Sequence, residues 1–455
     1  MKSMFYFNGC AAGIRSRVTF FILACLGIWA IAFIAAGTDV SARNVQPVQG
    51  WPQFRGPHGD GVAVEPGEER GLPLQWSETD NILWKTEIPF QGWSTPVIMG
   101  DHLWLTTATK EGNDFYVLCV DKNKGEILFN EKIFHADAPE PLGNMVNSYA
   151  SPSSVVEPGR VYVHFGSYGT ACLDSQTREV LWKRTDLPCR HYRGPGSSPV
   201  IFENLLVLTF DGADVQYLAA LNKDTGETVW KTDRSTAWKD LDDQGQPVRE
   251  GDFRKAFTTP CVVVVNDTPL LISPGSYAAF AYEARTGREV WKTQNGAYSP
   301  SMSPVHANGL VFLTTGRGET KAFWALRPDG QGDITESHVA WKLEGRLVPE
   351  EPSPIVLDGL LYFVSNDGIV TCLEAETGAK VWSERIGGNY MASPIYADGR
   401  LYFCNIQGRT TVLKAGRSFE KLAVNELDDG CLASPAIDGK ALFIRTKTHL
   451  YRIEN

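Results

Sequence analysis

The chain reads as all-β: an eight-bladed β-propeller, closed by an N-terminal strand that pairs with the last blade. Three observations predict this. A hairpin ending in Trp recurs along the chain, a Ser/Thr-Pro step recurs ahead of the hairpins, and no long stretch after Gly50 has helical periodicity. With 43 Gly and 26 Pro in 455 residues, the composition suits many turns and few helices.

The hairpin stands out at 172–183, C-L-D-S-Q-T-R-E-V-L-W-K. It returns as L-N-K-D-T-G-E-T-V-W-K at 221–231, E-A-R-T-G-R-E-V-W-K at 283–292 and C-L-E-A-E-T-G-A-K-V-W at 372–382. An apolar run meets an acidic residue and usually Thr-Gly, then a strand carrying Trp. Thr bonds locally and Gly supplies positive φ, so the pattern encodes a tight turn between two strands.

The Ser/Thr-Pro steps are Thr95-Pro96, Ser151-Pro152, Ser198-Pro199, Thr259-Pro260, Ser303-Pro304, Ser353-Pro354, Ser393-Pro394 and Ser434-Pro435, with prolines 40 to 61 residues apart. That period holds four short strands, one propeller blade. In the sixth unit they are 353–357, 360–364, 369–373 and 380–382. The Trp position holds Trp84, Trp182, Trp230, Trp291, Trp341 and Trp382, with Phe129 and Leu422 expected there in the first and seventh units. These rings read as wedges between blades; gripping a ligand is the other reading.

The last unit decides the architecture. After Ser434-Pro435 come strands at 441–445 and 449–453, and no Trp strand follows. A spare copy lies at 81–86, N-I-L-W-K-T, matching E-V-W-K-T at 289–293. It is expected to complete the eighth blade and so remove an open sheet edge.

The domain reading is a signal peptide or N-terminal membrane anchor at 1–42, a docking segment at 43–80 and the propeller at 81–455. Lys2, Arg15 and Arg17 precede an apolar run at 18–36, and Val40-Ser41-Ala42 offers a cleavage site. The run is also close to the roughly 20 residues that span a bilayer, so retention as a tether stays open. Either way the ring is expected outside the cytoplasm, in the periplasm or cell envelope. The Gly/Pro-rich stretch 51–61 holds Trp51 and Phe54 and is expected to dock on the ring.

Net charge is −10, and −12 without residues 1–42, with no basic cluster, which argues against a nucleic-acid partner. Nine cysteines include no C-x-x-C and no adjacent pair, so neither zinc nor a redox motif is supported. Cys119, Cys172 and Cys372 hold equivalent third-strand positions and read as small buried residues.

These hairpins resemble the tryptophan-docking motif of quinoprotein-type, PQQ-like repeat propellers, roughly A-x-D-x-x-T-G-x-x-x-W. The family includes PQQ-dependent alcohol dehydrogenases and BamB-like proteins. The Trp51-Pro52-Gln53-Phe54-Arg55-Gly56-Pro57 opening is similar to non-enzymatic planctomycete-type members. The resemblance implies eight blades, an extracytoplasmic location and a shaped axial face; the ring itself is expected to be monomeric. Its dehydrogenases imply a vicinal Cys-Cys pair, which this chain lacks, and a calcium or lanthanide site, which no motif here supplies. Asp240-Leu241-Asp242-Asp243-Gln244-Gly245 looks faintly like a calcium loop, but Gly251 stands where its Glu is required.

No catalytic or metal residue is therefore assigned and no cofactor is expected. A non-catalytic binding or scaffold module of the envelope is the first reading; a PQQ- and Ca²⁺-dependent oxidoreductase with a divergent site is the alternative. Loops ahead of each Ser/Thr-Pro step should converge near the axis. The candidate ligand-binding residues are Trp93, Asn147, Tyr149, His191, Arg193, Arg254, Lys255, Tyr298, Arg317, Arg346 and Tyr390. Aromatics mixed with Arg, Lys and His on an acidic protein suggest an anionic or polar ligand: an envelope protein, a carboxylate-rich peptide or a polymer. The long insertion 231–257 is expected either to lid that face or to pack on its own blade. The insertion 328–333 reads as a turn.

Overall fold

Each repeat folds as four antiparallel strands in sequence order, because its strand-forming runs are three to nine residues long and tight turns join them. In the sixth blade these are Ile355–Leu357, Leu360–Val364, Ile369–Glu374 and Lys380–Arg385. The structure is a computed structural model that describes residues 50–143 and 146–455; the segment 1–42 and the start of the docking segment, 43–49, lie outside the described residues. All five residues of Leu360–Val364 are 5 % exposed or less. A middle strand is sandwiched between two neighbouring blades, so it reads as a continuous apolar run rather than an alternating one.

There are eight such sheets. The eighth is closed as expected: Ile82–Glu87 pairs antiparallel with His449–Ile453, beside Ala441–Arg445 and Ala436–Asp438. Trp84 stands opposite Arg452 as Trp382 stands opposite Cys372.

The repeated Trp is a bond between blades. Each indole N–H donates to a carbonyl in the next blade's third-to-fourth-strand connection: Trp84 to Lys122 (3.0 Å), Trp182 to Lys223 (3.0 Å), Trp341 to Ala375 (2.9 Å) and Trp382 to Gly416 (3.0 Å). The Thr-Gly glycine lies flat under that ring. A Cβ on Gly226 (φ +75°) would come within 2.8 Å of Trp182, so the hairpin glycine serves the neighbour's Trp as well as its own turn. The second blade has Arg178 in this position at φ 67°, and the blade before it carries Phe129, which presents a smaller ring.

Three sequence expectations change. Leu422 is not in the Trp position: Val412 faces Ala423 there. The eighth blade has no hairpin turn to receive an indole from blade seven. Instead Trp76, from the N-terminal segment, stacks on Tyr402 at 6.4 Å, much as Trp382 packs 6.1 Å from Tyr362. In the second blade, Ser153 rather than Ser151 precedes the first strand, Val155–Glu157. The insertion 328–333 is more than a turn: Gly332–Asp333 pairs in parallel with Glu289–Gln294 and gives the fourth blade a fifth strand.

Residues 51–63 cross the end of the ring where first and second strands meet. The Trp51 N–H donates to the Ile98 carbonyl (2.9 Å), Val156 N–H to Pro52 (2.8 Å) and Tyr396 N–H to Gly61 (2.9 Å), touching blades one, two and seven. Arg55 is buried and donates to the Pro354 carbonyl of blade six at 2.5 Å. Burial pushes its guanidinium down to about 10, so it stays charged at neutral pH.

Candidate functional site

At the opposite mouth, the loops ahead of all eight first strands surround an axial cavity of about 360 Å³. Its lower wall is built from the Ser/Thr-Pro steps themselves. The N–H of Thr95 donates to Ser153 Oγ, Ser153 to Ser198, and Ser198 to Thr259, each at 2.9 Å. A second arc runs from Ser303 to Ser353 and Ser353 to Ser393, each at 3.0 Å, and from Ser393 to Ser434 at 2.9 Å. Thr95 Oγ1 and Ser303 Oγ, at the two junctions between the arcs, are buried without a partner. The marker therefore supplies a hydroxyl to the axial chain and, in seven of the blades, a Pro ahead of the strand; in the second blade Ser153-Ser154 takes its place. The floor is Phe54, delivered by the docked N-terminal segment.

One junction between the arcs lies between blades eight and one. There the buried Arg445 donates through Nη1 to Ser94 Oγ (2.6 Å), Ser94 O (3.2 Å) and Thr106 O (3.1 Å). Burial without an acidic partner pushes this guanidinium down to about 9.

Five of the sequence candidates line the cavity: Trp93, Asn147, Arg193, Tyr298 and Arg317. Asn147 Nδ2 donates to the Arg193 and Pro195 carbonyls (2.8 and 3.1 Å), which fixes the Arg193 loop. Arg193 grips Asp252 through two nitrogens at 3.0 and 3.1 Å. Burial raises the Asp252 carboxyl, but hydrogen bonds from Arg193 and Lys255 outweigh it and hold the group below its usual range. Across the mouth Arg317 pairs with Glu351 and, at 3.4 Å, with Glu350. Burial pushes Glu351 upward against the pull of Arg317.

Six candidates lie elsewhere. Tyr149 is buried and donates to the Glu140 carbonyl at 2.8 Å. His191 is buried with Nδ1 3.8 Å from Cys189 Sγ. Arg254 clasps Asp240 inside the insertion (2.9 Å) and covers Trp238, so the calcium-like loop is tied by an arginine. Lys255 is buried behind the wall, over the Tyr192 ring at 4.6 Å. Arg346 pairs with Asp367 at 3.0 Å on the exposed rim, and Tyr390 is fully buried.

Sequence reasoning missed Phe54, Arg249, Asp252, Phe253, Glu351 and Met391. The insertion supplies three of these. Its 3₁₀ segment Val248–Arg254 carries Arg249, Glu250 and Gly251 at φ 49°, 54° and 81°, and Phe253 packs on Tyr298 at 4.3 Å. Arg249 lies over the Phe253 ring at 4.9 Å. The insertion thus forms part of the mouth.

The donor set does not fit a hard cation. Among the described residues no three His, Cys, Asp or Glu side chains cluster as ligands. The two carboxylates on the wall are held by arginines, and no cysteine lines the cavity. The arrangement suits hydrogen bonding and charge pairing with a polar ligand against aromatic faces.

Comparison with curated proteins gives no match. Among solved structures, BamB from Moraxella catarrhalis superposes with TM-score 0.54 at 12 % identity, over 82 % of this chain and 99 % of that one. Quinohemoprotein alcohol dehydrogenase from Comamonas testosteroni gives 0.63 at 12 % identity, over 90 % and 81 %. The computationally designed Ika8 protein gives 0.53 at 10 %, over 84 % and 100 %. At such identities the likeness is one of fold. The family model described as outer membrane protein assembly factor BamB matches residues 74–232 and 214–455, and the chain belongs to that family of PQQ-like repeat propellers.

Proposed function

We propose that this protein is a non-catalytic binding module of the cell envelope that takes an anionic or polar segment of a protein, peptide or polymer into the axial mouth. One observation carries the reading: all eight blades contribute to one cavity whose wall carries Arg193, Arg249 and Arg317 beside Trp93, Phe253 and Tyr298, on a chain of net charge −10. The docked N-terminal segment places Phe54 at the floor, so a ligand enters from the loop side. An extracytoplasmic location is supported by the family and by the expected leader. The test is binding of a carboxylate-rich peptide to wild type and to Arg193→Ala/Arg317→Ala. Loss of at least about tenfold in affinity, or ~1.4 kcal/mol, supports the reading; unchanged affinity removes it.

The second reading is a PQQ-dependent oxidoreductase. It is favoured by the likeness in fold to the quinohemoprotein dehydrogenase and by an indole, Trp93, on a cavity of this size. Titration with PQQ and Ca²⁺ while recording a visible spectrum separates the two. Stoichiometric uptake promotes the second reading; no spectral change favours the first.

A further inference from the structure

Blade seven holds two thiols that the binding reading leaves unused. Cys404 ends the strand Arg400–Cys404, and Cys431 sits in the connection that crosses back over it toward blade eight. The Cys431 N–H donates to the carbonyl of Asn405, the residue after Cys404, at 3.0 Å. Both side chains are 1 % exposed and belong to one apolar cluster. Thr410 Oγ1 donates to Cys404 Sγ at 3.3 Å. Each thiol perturbs the other, which lowers Cys404 and, together with burial, raises Cys431. The crossing backbone is pressed close: a Cβ on Gly430 would lie 1.8 Å from the Ile406 carbonyl oxygen. All the described cysteines, Cys404 and Cys431 included, carry free thiols in this structure, and Cys119, Cys172 and Cys372 occupy equivalent positions in separate blades.

We infer that Cys404 and Cys431 are a disulfide site, oxidised by thiol–disulfide exchange with a small disulfide or a disulfide-carrying oxidase. One protein thiolate attacks the donor disulfide and releases the donor's first thiolate. The second protein thiolate then attacks the mixed disulfide and releases the other. Two protein thiols become one S–S bond, and the donor is reduced to two thiols. The pairing closes a loop from strand end to blade connection, and a cross-link of this kind chiefly restricts the unfolded chain. Its consequence reaches the axial site, because Leu432 and Ser434, immediately beyond Cys431, line the cavity. Oxidation fixes that stretch of wall.

The full chain is produced in an oxidising compartment, and in a reducing one as control. Each sample is unfolded in acid, alkylated and mapped by mass spectrometry. The expected result is a peptide pair joined through Cys404 and Cys431 in the first sample only, lost on reduction, with Cys119, Cys172, Cys189, Cys261 and Cys372 alkylated. Alkylation of both Cys404 and Cys431 in the oxidised sample, or linkage of either to another cysteine, overturns the assignment. Hydrogen exchange adds a readout that needs no variant. Amides of 427–434 exchange more slowly in the oxidised protein; equal rates remove the claim that the bond fixes the wall.

Discussion

The indole N–H of Trp84 donates to the carbonyl of Lys122 at 3.0 Å, so a residue ahead of the first blade, built into the eighth, holds on to the first. The ring is closed twice here, once by the strand register Trp84–Arg452 and once by this bond. Trp84→Ala removes both the ring packing on Phe443 (6.0 Å) and the bond. A loss of about 3–5 kcal/mol is expected, in line with large-to-small changes of a packed Trp. Urea unfolding of wild type and variant measures it; a change below about 0.5 kcal/mol, ordinary for a surface site, would show that closure does not depend on Trp84.

Asp211 and Arg234 form a bidentate pair at 2.6 and 2.7 Å, both side chains 1 % exposed, with Arg234 also reaching Ser273 in the next blade. Removing one partner leaves an uncompensated buried charge. Arg234→Met is expected to cost roughly 3–5 kcal/mol, and Arg234→Met/Asp211→Leu to recover much of it. Chemical denaturation of the single and double variants completes the cycle.

His164 and His191 are both buried, and burial pushes them down to about 3 and about 4. His164 sits edge-on to Phe210 at 5.4 Å with Nδ1 2.8 Å from Thr170 Oγ1. In the unfolded chain a His takes a proton near pH 6.5, while the folded protein resists it. Stability is thus full above pH 6.5 and falls as pH drops toward 4, by up to about 1.4 kcal/mol per pH unit for each group. Urea midpoints at pH 7.5, 6 and 5 check the direction. A midpoint that stays level or rises as pH falls would mean that these rings are protonated in the fold.

Gly226→Ala places a Cβ at φ +75° and 2.8 Å from Trp182. About 1–3 kcal/mol of destabilisation is expected from backbone strain and displacement of the ring. Thermal unfolding compared with Gly359→Ala separates the two causes, because Gly359 has the same φ, +75°, and nothing within 4 Å of its Cβ.

The repeat was legible because strand, turn and Trp obey local rules in every copy, and the missing fourth strand near the chain's end exposed the closure. The seventh Trp position misled because Leu422 matches the apolar pattern, whereas the hairpin turn there is one residue longer, 414–420 against 374–379 in the sixth blade, and moves Ala423 into place. Trp76 fills that gap from more than 300 residues away, a contact no local pattern encodes. Within the site, the loops were legible but not which way each side chain points. Lys255 and Tyr149 turn inward to partners on their own side of the wall, while Arg193 turns to the cavity. The Ser/Thr-Pro steps were recognised as markers, yet the hydroxyls that chain along the axis accept from the preceding blade, so that chain needed the ring.

The central claim is that partners engage the axial mouth. A photo-crosslinking residue at Met391, on the cavity wall, is compared in envelope extracts with one at Val264, which lies at the first-to-second-strand turn of the fourth blade, away from the cavity lining, and is 65 % exposed. The account predicts a discrete crosslinked product from position 391 that Arg193→Ala/Arg317→Ala abolishes, and none from 264. Products from 264 alone, or a 391 product indifferent to both arginines, would contradict it.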